Sequence, residues 1–260
     1  MKKQGLILAA GLGSRLGEEN TPKPLIEIHG KALIIRTMEN LERGGCNEIV
    51  VVLGYAADAV KGYIGDHYSG KANIVFVIND QYRLSNGLSV LAAKQVLTES
   101  FVLSMADHLF SHEIARLVKN TPLPASGAAL FVDYKIEEVF DLDDATKVVA
   151  INDDIISIGK SLQTYNCIDT GLFLCSTDLL DALQNVYDQC GDASLSEGIT
   201  ELSKQNTMKT IDIGSAKWQD VDDQAMLKQA LEFASDSLTS LRSGQEETAE
   251  PPAVRAAAFH

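Results

Sequence analysis

The run Gly5-Leu6-Ile7-Leu8-Ala9-Ala10 passes without a break into Gly11-Leu12-Gly13-Ser14-Arg15, and this junction restricts the fold more than any other stretch of the chain. An apolar run with no polar alternation reads as a strand covered on both faces, as in a parallel sheet flanked by helices. Glycines directly after such a strand let the backbone turn tightly and let a phosphate approach the main chain, where amide groups and Arg15 can neutralise its charge. Lys2 and Lys3 lend the start the look of a secretory leader, but the apolar run is short and meets Arg15 without a cleavage site. Neither common phosphate motif fits. Leu16 stands where G-x-G-x-x-G needs its third glycine, and no G-K-[ST] follows. The broken fingerprint disfavours a nicotinamide-dependent oxidoreductase. Thr21-Pro22-Lys23-Pro24-Leu25 comes next, and its prolines present Lys23 as one rigidly held cation. A purely structural turn would need neither Arg15 nor Lys23.

The rest of the first half keeps the same rhythm. Residues 5–10, 48–54, 73–79 and 101–106 read as strands, and 31–43, 56–68, 87–97 and 111–119 as helices, which predicts right-handed βαβ units and a mostly parallel sheet. After Pro122 and Pro124 the strand-like segments 127–134, 146–151, 155–158 and 169–175 follow one another with no helix between, an antiparallel insertion or sheet extension. Helices at 177–188 and 195–204, strands at 207–213 and 217–222, and an amphipathic helix at 224–241 close a single domain over 1–242. Residues 243–260 carry Glu246, Glu247, Glu250, Pro251 and Pro252 and read as a disordered tail or severed linker.

The formal net charge of −14 argues against nucleic acid as a partner, so any bound phosphate is met locally. No stretch approaches the roughly 18 apolar residues of a membrane span. Cys46, Cys167, Cys175 and Cys190 lack the spacing of a zinc or redox site and read as reduced thiols of a cytoplasmic protein. The oligomeric state stays open.

A bound triphosphate calls for a hard divalent cation on one or a few carboxylates. Asp107 ends the strand at 101–106, at the carboxyl edge where open α/β sheets bind ligands. Asp220 and Asp222 are two apart in an extended segment, so both face one way while Val221 faces the core. Asp107 as a turn former and Asp222 as a helix cap are the plain alternatives. The histidines form no metal or triad pattern, and His108 reads as a neighbour of the metal site rather than a ligand.

Leu8 to Arg15, taken with Pro22-Lys23-Pro24-Leu25, resembles the signature of the sugar-nucleotide pyrophosphorylase and cytidylyltransferase superfamily. The resemblance implies a Rossmann-like three-layer α/β/α fold with a mixed, mostly parallel central sheet and a small antiparallel extension. It implies that Leu8, Ala10, Gly11, Gly13, Ser14 and Arg15 wrap the nucleotide's phosphates and that Lys23 bridges phosphates of the reacting groups. Magnesium would sit on Asp107 and on a late Trp-x-Asp segment, here Trp218-Gln219-Asp220-Val221-Asp222. Asn79-Asp80-Gln81-Tyr82 and Ser85-Asn86-Gly87-Leu88-Ser89 resemble the segment that meets the nucleobase, which nominates Asp80, Asn86, Gly87 and Ser89; an ordinary helix start explains each of them as well.

Asp143-Asp144-Ala145-Thr146-Lys147-Val148, Ser157-Ile158-Gly159-Lys160, Asp169-Thr170-Gly171-Leu172-Phe173 and Ser104-Met105-Ala106-Asp107-His108 narrow the likeness to the CTP:inositol-1-phosphate cytidylyltransferase family, over about the first 235 residues. The likeness implies CTP and a small phosphorylated alcohol as substrates. Lys147, Lys160, Asp169 and Thr170 would bind the acceptor, Lys160 at its phosphate and Asp169 at its hydroxyls, and Arg15, Lys23 and Lys160 would be the catalytic cations; a solvated strand-end lysine and a turn-forming aspartate are the plain alternatives for Lys160 and Asp169. Members of that family are often fused to a membrane-embedded phosphatidyltransferase, and no apolar span follows residue 242 here. A stand-alone enzyme, a trimmed chain, or another acceptor such as phosphocholine, a phosphonate or a sugar-1-phosphate therefore stay open. A silent nucleotide-sensing module is the rival of another class, and the joint presence of Arg15, Lys23, Asp107 and Asp222 speaks against it.

Overall fold

The computed structural model describes residues 3–13, 21–97 and 99–242. The chain runs β1 (Gln4–Ala9), β2 (Glu27–Ile28), β3 (Lys31–Ala32), α1 (Leu33–Arg43), β4 (Glu48–Leu53), α2 (Ala57–His67), β5 (Asn73–Ile78), α3 (Gly87–Ala92), β6 (Phe101–Met105), β7 (His108–Phe110) and α4 (His112–Asn120). It continues through β8 (Ala128–Asp133), β9 (Lys147–Ile151), β10 (Asp154–Gly159), β11 (Cys167–Cys175), α5 (Asp178–Cys190), α6 (Leu195–Lys204), β12 (Met208–Asp212), β13 (Trp218–Asp220) and α7 (Gln224–Arg242).

Nine strands form one sheet in the order β5-β4-β1-β6-β11-β8-β12-β10-β9. Strands β1, β4, β5 and β6 pair in parallel, as do β8 and β12. Strand β11 lies between the two groups and runs antiparallel to both β6 and β8. The segments 127–134 and 169–175 are thus central strands rather than an extension, and the β9–β10 hairpin extends the sheet at its edge. Hydrophobicity marks both kinds of strand alike, so the sequence does not separate them.

Every residue of β1 and β4 is buried. Successive side chains of these strands point to opposite faces. Leu6, Leu8, Val50 and Val52 accordingly join α3, α5 and α6 through Leu88, Leu183 and Ile199. Ile7, Ala9, Val51 and Leu53 join α1, α2 and α4 through Met38, Ile64 and Ile114. Two cores back to back make the three-layer fold.

A smaller core gathers Ile28, Leu33, Leu109, Val221, Ala230 and Ala234 around the start of α7. It exists because two short ribbons lie outside the main sheet. Strands β2 and β3 form a hairpin whose turn holds His29 and Gly30 at positive φ, which starts the first helix at Leu33 and not at Lys31. Strands β7 and β13 pair with Asp220 opposite His108 and Trp218 opposite Phe110. Three-residue strands carry no legible period, and β7 is not visible in the sequence. The helix read at 87–97 ends at Ala92 and continues as turns. Among the described residues no helix is long and apolar enough to cross a membrane.

Helix α6 begins with a reciprocal cap: Ser194 Oγ accepts the Glu197 N–H at 3.2 Å while Glu197 Oε2 accepts the Ser194 N–H at 2.7 Å. Ser194→Ala is expected to lower unfolding free energy by about 1 kcal/mol in urea, with an unchanged denaturant slope.

Candidate active site

The carboxyl ends of β1 and β6 lie side by side, and the site is built on the turns that leave them. Gly13 has φ of 60°, and a Cβ there would stand 2.6 Å from Lys23 Cβ, so the glycine turn and the lysine segment fit together only without a side chain at that position. Lys23 begins a short 3₁₀ turn, Lys23–Leu25, fixed by Pro22 and Pro24. Its ammonium donates to Asp107 Oδ2 at 2.5 Å and also to Asp222 Oδ1. Ser14 and Arg15 lie outside the described residues.

Asp222 arrives from far along the chain by way of the β7–β13 ribbon. The Val221 N–H donates to the Asp107 carbonyl at 3.0 Å, and Val221 is fully buried, which leaves Asp220 and Asp222 on the open side. Asp223, not Asp222, caps α7, its Oδ1 accepting the Met226 N–H at 2.8 Å. His108 Nδ1 lies 2.7 Å from Asp107 Oδ1, and its ring stacks on Trp218.

Burial would lower the Lys23 ammonium, but Asp107 and Asp222 outweigh it and raise its pKa. Burial likewise pushes Asp107 up, and Lys23 with His108 overrides it, holding that carboxyl well below the usual range. Burial, and then the neighbouring charges of Asp222 and Asp107, raise Asp220. His108 is raised because Asp107 and Asp220 prevail over its burial. Among the described residues no group of three or more His, Cys, Asp or Glu converges to cage a metal. Two carboxylates from separate elements meeting on one cationic point suit magnesium, which takes one or two carboxylates and completes its shell with water and substrate phosphates.

Two clefts, with volumes of about 260 and 310 Å3, meet at this point. The first is lined by Leu8, Ala10, Gly11, Gly13, Lys23, Tyr82 and Ser89. The second is lined by Asp144, Thr146, Lys160, Asp169, Ser196, Trp218 and Asp220. Asn86, Met105, Asp107 and Asp222 line both. Lys160 Nζ stands 2.8 Å from Asp144 Oδ1 in an exposed pair. Asp169 accepts the Gly171 N–H at 2.7 Å, and burial pushes its pKa up to about 6.

Four of the sequence-nominated residues stand elsewhere. A Cβ on Gly87 would stand 2.4 Å from the Ala193 carbonyl oxygen, so that glycine serves the packing of α3 against the α5–α6 connection, not a base. Asp80 is exposed on a turn and lines neither cleft. Lys147 is buried with its ammonium on the Asp143 carbonyl at 2.9 Å, which fastens the turn before β9, and Thr170 is buried with its hydroxyl on the Phe131 carbonyl at 2.8 Å, which ties β11 to β8. Asn86 belongs to the junction rather than to a base pocket, its Oδ1 accepting the Leu195 N–H at 2.9 Å. Ser89 lines the first cleft while its hydroxyl accepts from Asn79 at 3.0 Å. Tyr82 lines the first cleft and Met105 both, although neither is marked out in the sequence; Gly54 offers a trace of a signal for Tyr82, since a Cβ there would stand 2.4 Å from Tyr82 Cβ.

A mixed α/β sheet with a glycine turn, a clamped lysine and two acids at its carboxyl edge defines a nucleotidyltransferase. The chain belongs to the MobA-like NTP transferase domain family, whose model matches residues 5–203. It is 35% identical over 221 residues to a bifunctional IPC transferase and DIPP synthase of Rubrobacter xylanophilus, covering 83% of this chain and 48% of the relative. A protein of the same name from Archaeoglobus fulgidus is 30% identical over 228 residues, covering 87% and 43%. The chain thus spans about half the length of the curated relatives it matches. The structure of the inositol-1-phosphate CTP transferase from T. maritima superposes with a TM-score of 0.77 at 25% identity, over 91% of this chain and 96% of that one.

A carboxyl whose folded pKa is about 6, against 3.8 unexposed to the fold, binds its proton more tightly when folded. Its contribution is neutral below pH 3.8 and turns unfavourable as pH rises to about 6, by about 3 kcal/mol at most. Asp169→Asn is therefore expected to gain stability relative to wild type across that window and hold the gain above it, as read by thermal melts at stepped pH.

Proposed function

We propose that this protein is a magnesium-dependent cytidylyltransferase that moves CMP from CTP to a small phosphorylated alcohol, inositol-1-phosphate in the first place, giving CDP-inositol and pyrophosphate. The observation that carries the reading is the meeting of the two clefts. The glycine turn lines one, Lys160 and Asp169 line the other, and Asp107 with Asp222 belongs to both. A group passing between the clefts crosses those carboxylates. The likeness to a protein named as an inositol-1-phosphate CTP transferase supports the choice of nucleotide and acceptor.

In this reading a phosphate oxygen of the acceptor attacks the α-phosphorus of CTP in line with the departing pyrophosphate. A phosphate monoester is largely dianionic at pH 7, so no general base is needed and the chain's task is alignment and charge. Asp107 and Asp222 would hold magnesium, which would supply positive charge to the reacting phosphates. Amides of residues 11–13, with Arg15, steady the leaving phosphates. Lys23 holds the two acids as a pair and lines the first cleft, where its charge would meet the triphosphate. Lys160 gives up an exposed partner worth at most about 1 kcal/mol and gains a charge-assisted bond to phosphate worth about 1.5–3 kcal/mol. Asp169, ionised above about pH 6, accepts from acceptor hydroxyls.

Pyrophosphate release with magnesium, across CTP, UTP, ATP and GTP and across inositol-1-phosphate, phosphocholine, aminoethylphosphonate and a hexose-1-phosphate, tests the assignment. The CTP and inositol-1-phosphate pair is expected to turn over fastest; another pair would move the acceptor, and silence with nucleotide still bound would favour a sensing module. Lys23→Ala and Asp107→Asn are expected to lower kcat by about 100-fold or more, and near-normal turnover in either would overturn their roles. Lys160→Ala should raise the KM for the acceptor by about 10-fold while leaving the KM for CTP unchanged.

A further inference from the structure

One buried carboxylate at the carboxyl edge of the sheet has no part in either cleft. Asp133 ends β8, is 3% exposed, and lies on the far side of Trp218 from the site. Its Oδ2 accepts the Trp218 indole N–H at 3.0 Å. Its Oδ1 accepts the Lys135 N–H at 2.8 Å and the Lys135 ammonium at 2.7 Å, and that ammonium also donates to the Gly214 carbonyl at 2.7 Å. The carboxylate is therefore fixed before it meets Trp218.

From Trp218 the contacts lead into the site. The indole lies nearly parallel to the His108 imidazole, at 8° with ring centroids 5.7 Å apart. Gly171 bounds the Nε2 edge of the imidazole, where a Cβ would come within 2.7 Å of Nε2. With the indole on its face and that glycine at its edge, His108 keeps Nδ1 2.7 Å from Asp107 Oδ1. Asp107 has its other oxygen on Lys23. The one tryptophan of the chain is in this way the link between a fixed carboxylate on β8 and the oxygen pair of Asp107.

We propose that Asp133 is a positioning residue: acting through the Trp218 indole and the His108 ring, it sets the direction in which Asp107 presents its carboxylate. The proposal rests on the reading of Asp107 as a magnesium ligand. Partners that orient a ligand are worth about 10–100-fold in metal affinity, whereas a plain strand-end clamp moves stability and leaves that affinity alone.

The experiment is calorimetric titration of magnesium into the protein with CTP present, beside the emission spectrum of Trp218 without metal. Asp133→Ala is expected to weaken magnesium by about 10-fold and to shift the Trp218 emission. Asp133→Asn, which keeps an acceptor for the indole, should recover most of the affinity. Trp218→Phe keeps a ring over His108 and removes only the donor, so it serves if Asp133→Ala does not fold; it should weaken magnesium to a similar degree. In the double variant the two losses should not add. Wild-type magnesium affinity in Asp133→Ala, or in Trp218→Phe, overturns the proposal. Asp107→Asn separates the two ideas: loss of magnesium there with none in Asp133→Ala sinks this inference alone, and wild-type affinity in Asp107→Asn sinks the metal assignment and the inference with it.

Discussion

The pairing of Lys23 with Asp107 and Asp222 is the constraint on which the arrangement depends. The three residues come from a 3₁₀ turn after the glycine loop, from the end of β6 and from the approach to α7, and their contacts span 84 and 199 positions of sequence. Carboxylates this close and this enclosed repel one another, and a buried charge without a partner is costly. One ammonium between them offsets the repulsion and ties three distant segments to one point. The two ribbons outside the main sheet and the small core under α7 supply the packing that keeps that point in place. The charges are not in balance, since Asp220 adds a third carboxylate whose neighbours Asp222 and Asp107 raise its pKa. A surplus of negative charge at the meeting of two clefts is a setting for a metal and phosphates, and is poor design for a core.

Much of this was legible in the sequence wherever a residue's chemistry is out of keeping with its place. Lys23 between two prolines had no structural excuse, Asp107 at a strand end had only that of a turn former, and the structure brings both to one point with Asp222. The alternation of buried runs and helices predicted the parallel half of the sheet because period and burial there coincide. What stayed hidden depended on pairing. Nothing local tells that β11 enters between β6 and β8, or that β7, three residues long, finds β13 across more than a hundred residues. Gly87, Lys147 and Thr170 were drawn into the site by likeness of segments, yet each serves its neighbours' backbone: Gly87 against Ala193, Lys147 on Asp143, Thr170 on Phe131. A motif names a stretch of chain, while the direction of each side chain is set by the sheet it joins.

The cleft boundary also has a physical basis. Asn86 is clipped to Leu195, and Ser85 to Asp192 by two hydrogen bonds of 2.8 and 2.9 Å, so the loop before α3 is fastened to the start of α6. The wall between the clefts is therefore carried by two elements more than a hundred residues apart, and a shift of either helix would alter both clefts together. That coupling places the first ligand and the second on a shared frame.

The antiparallel strand in the middle of the sheet has a consequence for how the molecule is made. During synthesis β6 is finished long before β11 appears, and β8 emerges in between with its eventual neighbour still to come. Until residue 175 has left the ribosome the parallel half-sheet ends at β6 in a bare hydrophobic margin, and β8 has neither of its neighbours, β11 and β12, which invites the wrong partner. Strand β11 joins β6 to β8, β12 then fills the place between β8 and β10, and a chain interrupted before them is exposed to aggregation in a way that the finished molecule is not.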